Sequence, residues 1–507
     1  MSQPAPSAAT YDLLVIGGGV NGAGIARDAA GRGLSVLLVE KNDLASATSS
    51  ASSKLIHGGL RYLEQYEFRL VSEALAEREV LLRIARHLVW PARFVMPHVP
   101  ELRPRWMIRA GLFLYDHLTR RASLAGSNAV RLDRPPLNSG LKPELRHGFE
   151  YSDCRVDDAR LVVVNAIAAR EKGAQILTRT RCTGAKRAGN AWEVQLEDLT
   201  TGMHRTLRVT GVVNAAGPWV TQVLDTIPDN RVPGKVRLVK GSHIVVPKVH
   251  AGGHAYLFQN DDKRVIFVIP FENKYSLIGT TDVAVASLEE AADATPEEVE
   301  YLLRAVNRFL AKPLEASDVV WSYAGVRPLY DDGTADPSKV SRDYVTKLEA
   351  HDDSAPLLTV FGGKITTYRM LAESVLAELE RFFPWIGGPW TADEPLPGGD
   401  TAHFNRLRDD MHRRYAGISR DLVEGIVRRH GTRATRVLGD AIEPRDLGRH
   451  YGAGLTEREV DYLVAEEWAQ SADDILWRRT KCGLHMEDSE RDGLEQHLRR
   501  RSVAVRA

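Results

Sequence analysis

The first residues equipped for chemistry are glycines. Gly17-Gly18-Gly19-Val20-Asn21-Gly22 carries the Gly-x-Gly-x-x-Gly spacing, and Glu40 follows 18 residues past Gly22. Gly17 permits a tight turn, and Gly19 lets a pyrophosphate approach the backbone at a helix N-terminus. Gly22 allows close helix–strand packing, and the Glu40 carboxylate can accept from ribose hydroxyls. The same carboxylate repels a 2′-phosphate, so the pattern predicts a dinucleotide without one. A second patch, Thr48-Ser49-Ser50-Ala51-Ser52-Ser53, offers hydroxyls and free backbone N–H groups to phosphates and ring heteroatoms.

These motifs need elements to position them. Residues 11–16 are a short apolar run bounded by glycines, 22–32 are Ala-rich, and 34–39 are a second apolar run. That order reads as strand, helix, strand of a buried parallel sheet. A charged helical pattern spans 73–88, and further strands are expected at 175–181, 192–196, 207–213, 243–246, 265–269, 275–279 and 357–361. Such interleaving predicts an α/β fold in which two domains cross the sequence more than once. A Rossmann-like dinucleotide domain takes about 11–90, 150–225 and 355–385, and a mixed β-sheet substrate domain takes about 91–149 and 226–354. Residues 1–10 read as a loose leader, 394–400 as a linker, and 400–507 as an all-α C-terminal domain.

Composition narrows the function classes. The 507 residues include 67 basic and 67 acidic side chains, so no whole-chain field draws the protein to nucleic acid. Apolar residues make up 43%, enough for buried cores. Cys154, Cys182 and Cys482 lack metal-ligand spacing, which argues against a zinc site or a disulfide framework and suits a reducing compartment. The start carries no secretory signal, and no apolar stretch reaches the about 18 residues a membrane span needs.

A family resemblance separates FAD from NAD. The segment 48–62, with Asn214-Ala215-Ala216-Gly217-Pro218-Trp219, Lys240-Gly241-Ser242-His243, Gly325-Val326-Arg327-Pro328 and Phe361-Gly362-Gly363-Lys364-Ile365-Thr366-Thr367-Tyr368-Arg369, resembles the FAD-dependent glycerol-3-phosphate dehydrogenases. These belong to the wider D-amino-acid-oxidase-like flavoproteins. The resemblance runs from about 11 to 485 and includes 472–481, similar to the family's helical cap. It implies FAD bound by Gly17, Gly19, Asn21, Gly22 and Glu40, by Thr48, Ser49, Ser52, Lys54, His57 and Gly58, by Ala216 and Gly217, and by Gly362, Gly363, Ile365 and Thr366. The helix expected from Ile365 onward would aim a positive N-terminus at the reduced flavin.

The same resemblance implies oxidation of sn-glycerol 3-phosphate to dihydroxyacetone phosphate by hydride transfer to flavin N5, with electrons passed to ubiquinone or menaquinone. A phosphomonoester calls for cationic donors, and Arg61, Arg327, Lys364 and Arg369 each sit in a motif without a carboxylate of its own. The hydroxyl proton needs an acceptor, and a neutral imidazole suits it near pH 7. His243 is the first candidate and His57 the second, the latter more suited to a flavin contact. Tyr62 fits a substrate contact, a flavin neighbour or a core aromatic. Arg327 and Lys364 thus join His243 as expected catalytic residues, and no metal is called for.

One segment stands apart. Residues 103–121 combine Trp106, Met107, Ile108, Leu112, Phe113, Leu114 and Tyr115 with Arg103, Arg105, Arg109, Arg120 and Arg121, a mixture suited to anionic lipid at a bilayer surface. A core helix with a charged end is the alternative. The resemblance favours the membrane and implies a cytoplasmic protein held peripherally on the inner face, and a homodimer. Other chemistries on the same scaffold stay open: an oxidase that reduces O2 to H2O2, an amine or amino-acid oxidase, and a membrane-docked regulatory flavoprotein without turnover.

Overall fold

The computed structural model describes residues 10–228, 230–232, 235–262, 264–291, 293–331, 343–350 and 354–506. Residues 1–9 of the expected leader lie outside them. The strand Thr10–Ile16 leads through Gly17–Gly19 into the helix Val20–Gly31 and then the strand Val36–Val39. Leu13 to Val15 are fully buried and Val36 to Val39 nearly so, as a parallel sheet covered on both faces requires.

The first sheet runs in the order 345–349, 357–361, 204–214, 10–16, 36–39, 175–177, parallel except at the 345–349 edge. The strands Thr180–Ala188 and Ala191–Asp198 extend it as an antiparallel meander from 204–214. The helices Val20–Gly31, Asp158–Glu171 and Tyr368–Leu379 pack together beside it.

The second sheet is mixed and has ten strands among the described residues. Its central ladder pairs Val236–Pro247 with Trp321–Tyr330, setting His243 opposite Tyr323, Gly241 opposite Gly325, and Val239 opposite Arg327. Directly opposed residues share a face, and positions two apart on a strand do too. This register therefore gathers His243, Tyr323 and Arg327 on one face around two glycines. The glycines keep that face open: a Cβ on Gly325 would lie 2.7 Å from the Ala51 carbonyl oxygen, and one on Gly241 2.7 Å from Thr280 Oγ1.

The expected domain limits shift in three places. Leu55–Ile56 and the whole of His147–Val156 belong to the second sheet, whereas Val345–Glu349 belongs to the first. The strands at Val89–Pro97, Ala255–Gln259 and Trp321–Tyr330 are additional to those expected. The 394–400 linker is packed, with Leu396 fully buried and its N–H donating to the Ile84 carbonyl. Beyond it, helices build a separate core, interrupted by one short hairpin, His450–Gly452 with Leu455–Thr456.

Candidate active site

A cleft of about 1520 Å³ opens between the two sheets. It exceeds the about 300–1,000 Å³ that serve one drug-sized ligand, so a dinucleotide and a second small molecule can share it.

At the nucleotide end, Gly17 has φ +115°, and a Cβ there would lie 2.5 Å from the Ala215 oxygen. A Cβ on Gly22 would lie 1.9 Å from the Gly17 oxygen, so both glycines are set by backbone crossing backbone. Gly19, Val20 and Asn21 bring the start of the Val20–Gly31 helix to the cleft, where Ser49 Oγ accepts from the Val20 N–H at 3.0 Å. Glu40 Oε2 accepts from the Gly18 N–H at 2.6 Å and Oε1 from the Asn42 N–H at 2.8 Å. Burial raises the Glu40 pKa while these two N–H groups hold it down. Asn21 Nδ2 donates to the Gly362 oxygen at 3.1 Å, and its buried Oδ1 has no partner among the described residues. A helix N-terminus, a carboxylate at the end of the second strand, an orphaned amide oxygen and the lining residues Ala216, Gly217, Gly362 and Gly363 together fit a dinucleotide.

The serine-rich loop is a braced wall. Thr48 Oγ1 donates to the Val326 oxygen at 2.6 Å, and Ser52 Oγ donates to Asp158 Oδ2 at 2.7 Å. Thr48, Ser49, Ser52, His57 and Gly58 line the cleft; Lys54 does not. Lys54 is 4% exposed, with its ammonium 2.9 Å from both Asp158 oxygens. The expectation that Lys54 binds the cofactor is corrected: an ammonium buried this deeply requires a carboxylate, and Asp158 supplies it from 104 residues away. The cation Lys54 in turn holds the Asp158 carboxyl below its usual range, against the burial that would raise it.

Toward the other end, His243 Nε2 lies 2.8 Å from Ser53 Oγ, and its ring stacks on Tyr323 at 4.9 Å. Burial, helped by nearby Lys54 and Arg327, pushes its pKa down to about 3, so the imidazole is neutral at ordinary pH. Arg327 Nη2 reaches Asp282 Oδ1 and the Thr281 oxygen, each at 3.2 Å. Lys364 stands 4.1 Å over the Tyr62 ring. Arg61, Tyr62, His243, Arg327 and Lys364 all line the cleft, and neither Arg61 nor Lys364 forms an ion pair among the described residues. His57 lines it too, edge-on to Phe267 at 6.1 Å, with its pKa lowered chiefly by burial. Ile365 and Thr366 open a 3₁₀ turn before the Tyr368–Leu379 helix.

Arg369 leaves the substrate set. It is buried away from the cleft, bound by Glu77 and Glu373, with Thr391 Oγ1 3.2 Å from Nη1. Its two carboxylates lie outside its own motif, one four residues on and the other 292 residues back. The fold also contributes residues without a clear sequence signal: Asp282 in the cleft, Asp158 behind it, and Lys41 over the Trp219 ring at 4.0 Å.

The 103–121 segment forms the helix Arg105–His117. Ile108, Leu112 and Tyr115 are buried against the second sheet, whereas Trp106 is 70% and Phe113 54% exposed, with Met107 and Leu114 also exposed. Arg103 is paired with Glu64 and Arg121 with Asp116. Met107, Gly111 and Leu114 also line the mouth of the cleft, beside the exposed Tyr66 and Phe68. No helix among the described residues is long and apolar enough to cross a membrane.

Comparison with known proteins agrees with this geometry. Residues 12–369 match the family described as FAD dependent oxidoreductase, and 389–498 match the C-terminal domain of alpha-glycerophosphate oxidase. A glycerol-3-phosphate dehydrogenase of Pseudomonas aeruginosa is 53% identical over 495 residues, 97% of this chain and 96% of that protein. A D-erythritol 1-phosphate dehydrogenase of Brucella abortus is 53% identical over 484 residues, 95% of this chain and 96% of that one. The crystal structure of a Bacillus halodurans glycerol-3-phosphate dehydrogenase complexed with FAD matches with a TM-score of 0.73 at 28% identity, covering 96% of this chain and 94% of that one. The chain belongs to the FAD-dependent glycerol-3-phosphate dehydrogenase family, within the wider FAD-dependent oxidoreductases.

Proposed function

We propose that this chain oxidises the secondary alcohol of a polyol phosphate, sn-glycerol 3-phosphate first, to the ketone, and that the electrons leave to a membrane quinone. One observation carries the reading: a neutral, buried imidazole and the cations Arg61 and Lys364, which have no ion-pair partner among the described residues, line one cleft. Two positive side chains without carboxylates prepare a site for a doubly charged anion.

When bound, FAD would supply a two-electron acceptor for the hydride of the alcohol carbon. Arg61, Arg327 and Lys364 bind the phosphate and fix the carbon's orientation, which removes motional freedom ahead of the barrier. His243 accepts the hydroxyl proton on its imidazole, and the phosphate's negative charge in the cleft raises its basicity above that of the empty site. Ser53 Oγ holds the ring in place. Asp282 directs the Arg327 guanidinium.

The exposed face of the Arg105–His117 helix supports docking on an anionic lipid surface, and the cleft mouth beside it supports an acceptor arriving from the bilayer. A four-carbon substrate is a second reading, favoured by the Brucella abortus relative.

Anaerobic mixing of the holoenzyme with sn-glycerol 3-phosphate, D-erythritol 1-phosphate, glycerol and amino acids tests both. Bleaching of the flavin by a polyol phosphate and not by glycerol is expected. Bleaching by an amino acid alone, or by nothing, overturns the proposal. Reoxidation by a quinone in vesicles, compared with H2O2 yield in air, tests the acceptor, and a stoichiometric peroxide yield would replace quinone with oxygen.

A further inference from the structure

The C-terminal domain contributes no lining to the cleft among the described residues, yet it grips the nucleotide end from behind. One lip of that end is the loop from Glu40 to Ala47, and the adjoining lip is Thr180 to Cys182. In the first lip, Asp43 points away from the cleft and is 1% exposed. Its carboxylate receives Arg478 Nε at 2.7 Å and both Arg479 Nη1 and Nη2 at 2.7 Å. Behind the second lip, Arg179 Nη2 lies 2.8 Å from both oxygens of Asp474, which also takes Arg478 Nη2 at 2.6 Å. The lips are joined to each other: the Arg179 N–H donates to the Asn42 oxygen at 2.9 Å and the Thr180 N–H to the Glu40 oxygen at 2.8 Å. The Ala45 N–H donates to the Gly18 oxygen at 3.0 Å, tying the first lip to the glycine turn.

Buried charges tolerate few geometries, because any displacement strands one of them without its partner. Asp43, Asp474 and Arg479 are all essentially inaccessible, so the turn Asp474–Arg479 can seat in one way. That turn belongs to a domain with its own apolar core. The first lip is a loop, the part of a binding site that ordinarily moves, and the second is the start of the strand Thr180–Ala188; a docked domain fixes the one and braces the other.

We propose that the Asp474–Arg479 turn is a retention latch for FAD, fixing Asp43 and Arg179 and through them the two lips around the adenosine. Arg478 and Arg479 are thus positioning residues that act on the cofactor without touching it. The inference rests on the reading of the Gly17-to-Glu40 end as the adenosine end.

The test uses the full-length holoenzyme with Arg478→Gln, Arg179→Gln, Arg478→Lys and, as a control on the site itself, Glu40→Gln. Flavin fluorescence on dilution gives the FAD dissociation constant, and melting with and without excess FAD gives the stabilisation by cofactor. Arg478→Gln is expected to raise the dissociation constant about tenfold and to shrink the melting-temperature gain from FAD, with Arg478→Lys recovering part of both. A purely structural role would lower both melting temperatures equally and leave FAD affinity unchanged, which overturns the latch. Should Arg478→Gln fail to fold, the partly exposed Arg179→Gln reads the same tie from the other side. If Glu40→Gln weakens FAD binding and neither Arg478→Gln nor Arg179→Gln does, the latch fails alone. If none of the three affects it, the placement of the adenosine fails first.

Discussion

Replacing Arg327 by Ala measures how far the cleft depends on positive charge. The guanidinium is about a third exposed and lies 3.2 Å from Asp282 Oδ1, so the substitution removes a cation and takes one partner from an anion. Loss of a hydrogen bond to a charged group costs about 1.5–3 kcal/mol. Two negative charges about 6 Å apart at an effective dielectric near 20 repel by about 2–3 kcal/mol, and partial exposure roughly halves what Asp282 exerts on a phosphate once Arg327 no longer offsets it. Together these reduce kcat/KM for the polyol phosphate by a factor of about 100 or more. The assay is steady-state reduction of a soluble dye with FAD content and melting temperature measured alongside. Arg327→Ala with Asp282→Ala should recover about tenfold of the loss, because the repelling charge leaves with its partner. A single variant with kcat/KM within about threefold of the parent would refute the reasoning, as would a double variant no better than the single.

Arg369→Ala should cost about 3–5 kcal/mol of stability by stranding Glu77, seen in denaturant unfolding, with the KM of the remaining active enzyme unchanged; a raised KM at full stability would return Arg369 to the substrate. His243 and His87 are both held near pKa 3 by burial, so the unfolded chain, with imidazoles near 6.5, binds up to two more protons below that pH. Stability should therefore be insensitive to these groups above about pH 7 and fall on acidification by up to about 2.7 kcal/mol per pH unit. His87→Leu should remove about half of that slope in urea midpoints taken against pH, and an unaltered slope would exclude His87. Trp106→Asp with Phe113→Asp, both at exposed positions, should abolish sedimentation with anionic vesicles and leave soluble-dye reduction intact; undiminished vesicle binding would move the docking surface elsewhere.

The nucleotide end was legible because it is local. The glycine spacing, the two flanking apolar runs and Glu40 lie within 30 residues, and the structure assembles them as strand, turn, helix and strand. The substrate end was less legible because it is made by register. His243 and Arg327 are 84 residues apart in sequence and share a face through the pairing of Val236–Pro247 with Trp321–Tyr330. The apolar runs announced strands but not their partners, and Val345–Glu349 and His147–Val156 gave no strand signal at all, so 345–349 and 150–156 fell on the wrong side of the expected domain limits.

The misassigned cations follow from the same physics. Lys54, Arg369, Arg61 and Lys364 all occupy motifs free of acidic residues, so motif composition does not separate the ligands among them from the buried ion pairs. These two buried cations are met by carboxylates that the fold fetches from far away: Asp158 for Lys54, Glu77 for Arg369. Arg61 and Lys364 stay half-buried at the cleft, where water or an incoming anion can meet their charge, so the fold supplies no carboxylate among the described residues. A cation's role is thus decided by whether a remote carboxylate meets it, a three-dimensional property that motif composition cannot encode. The same criterion ranks the cleft cations for experiment. Neutralising Arg61 or Lys364 should weaken phosphate binding with little loss of stability, since no buried partner is stranded, whereas neutralising Lys54 should unfold the protein before it informs on binding.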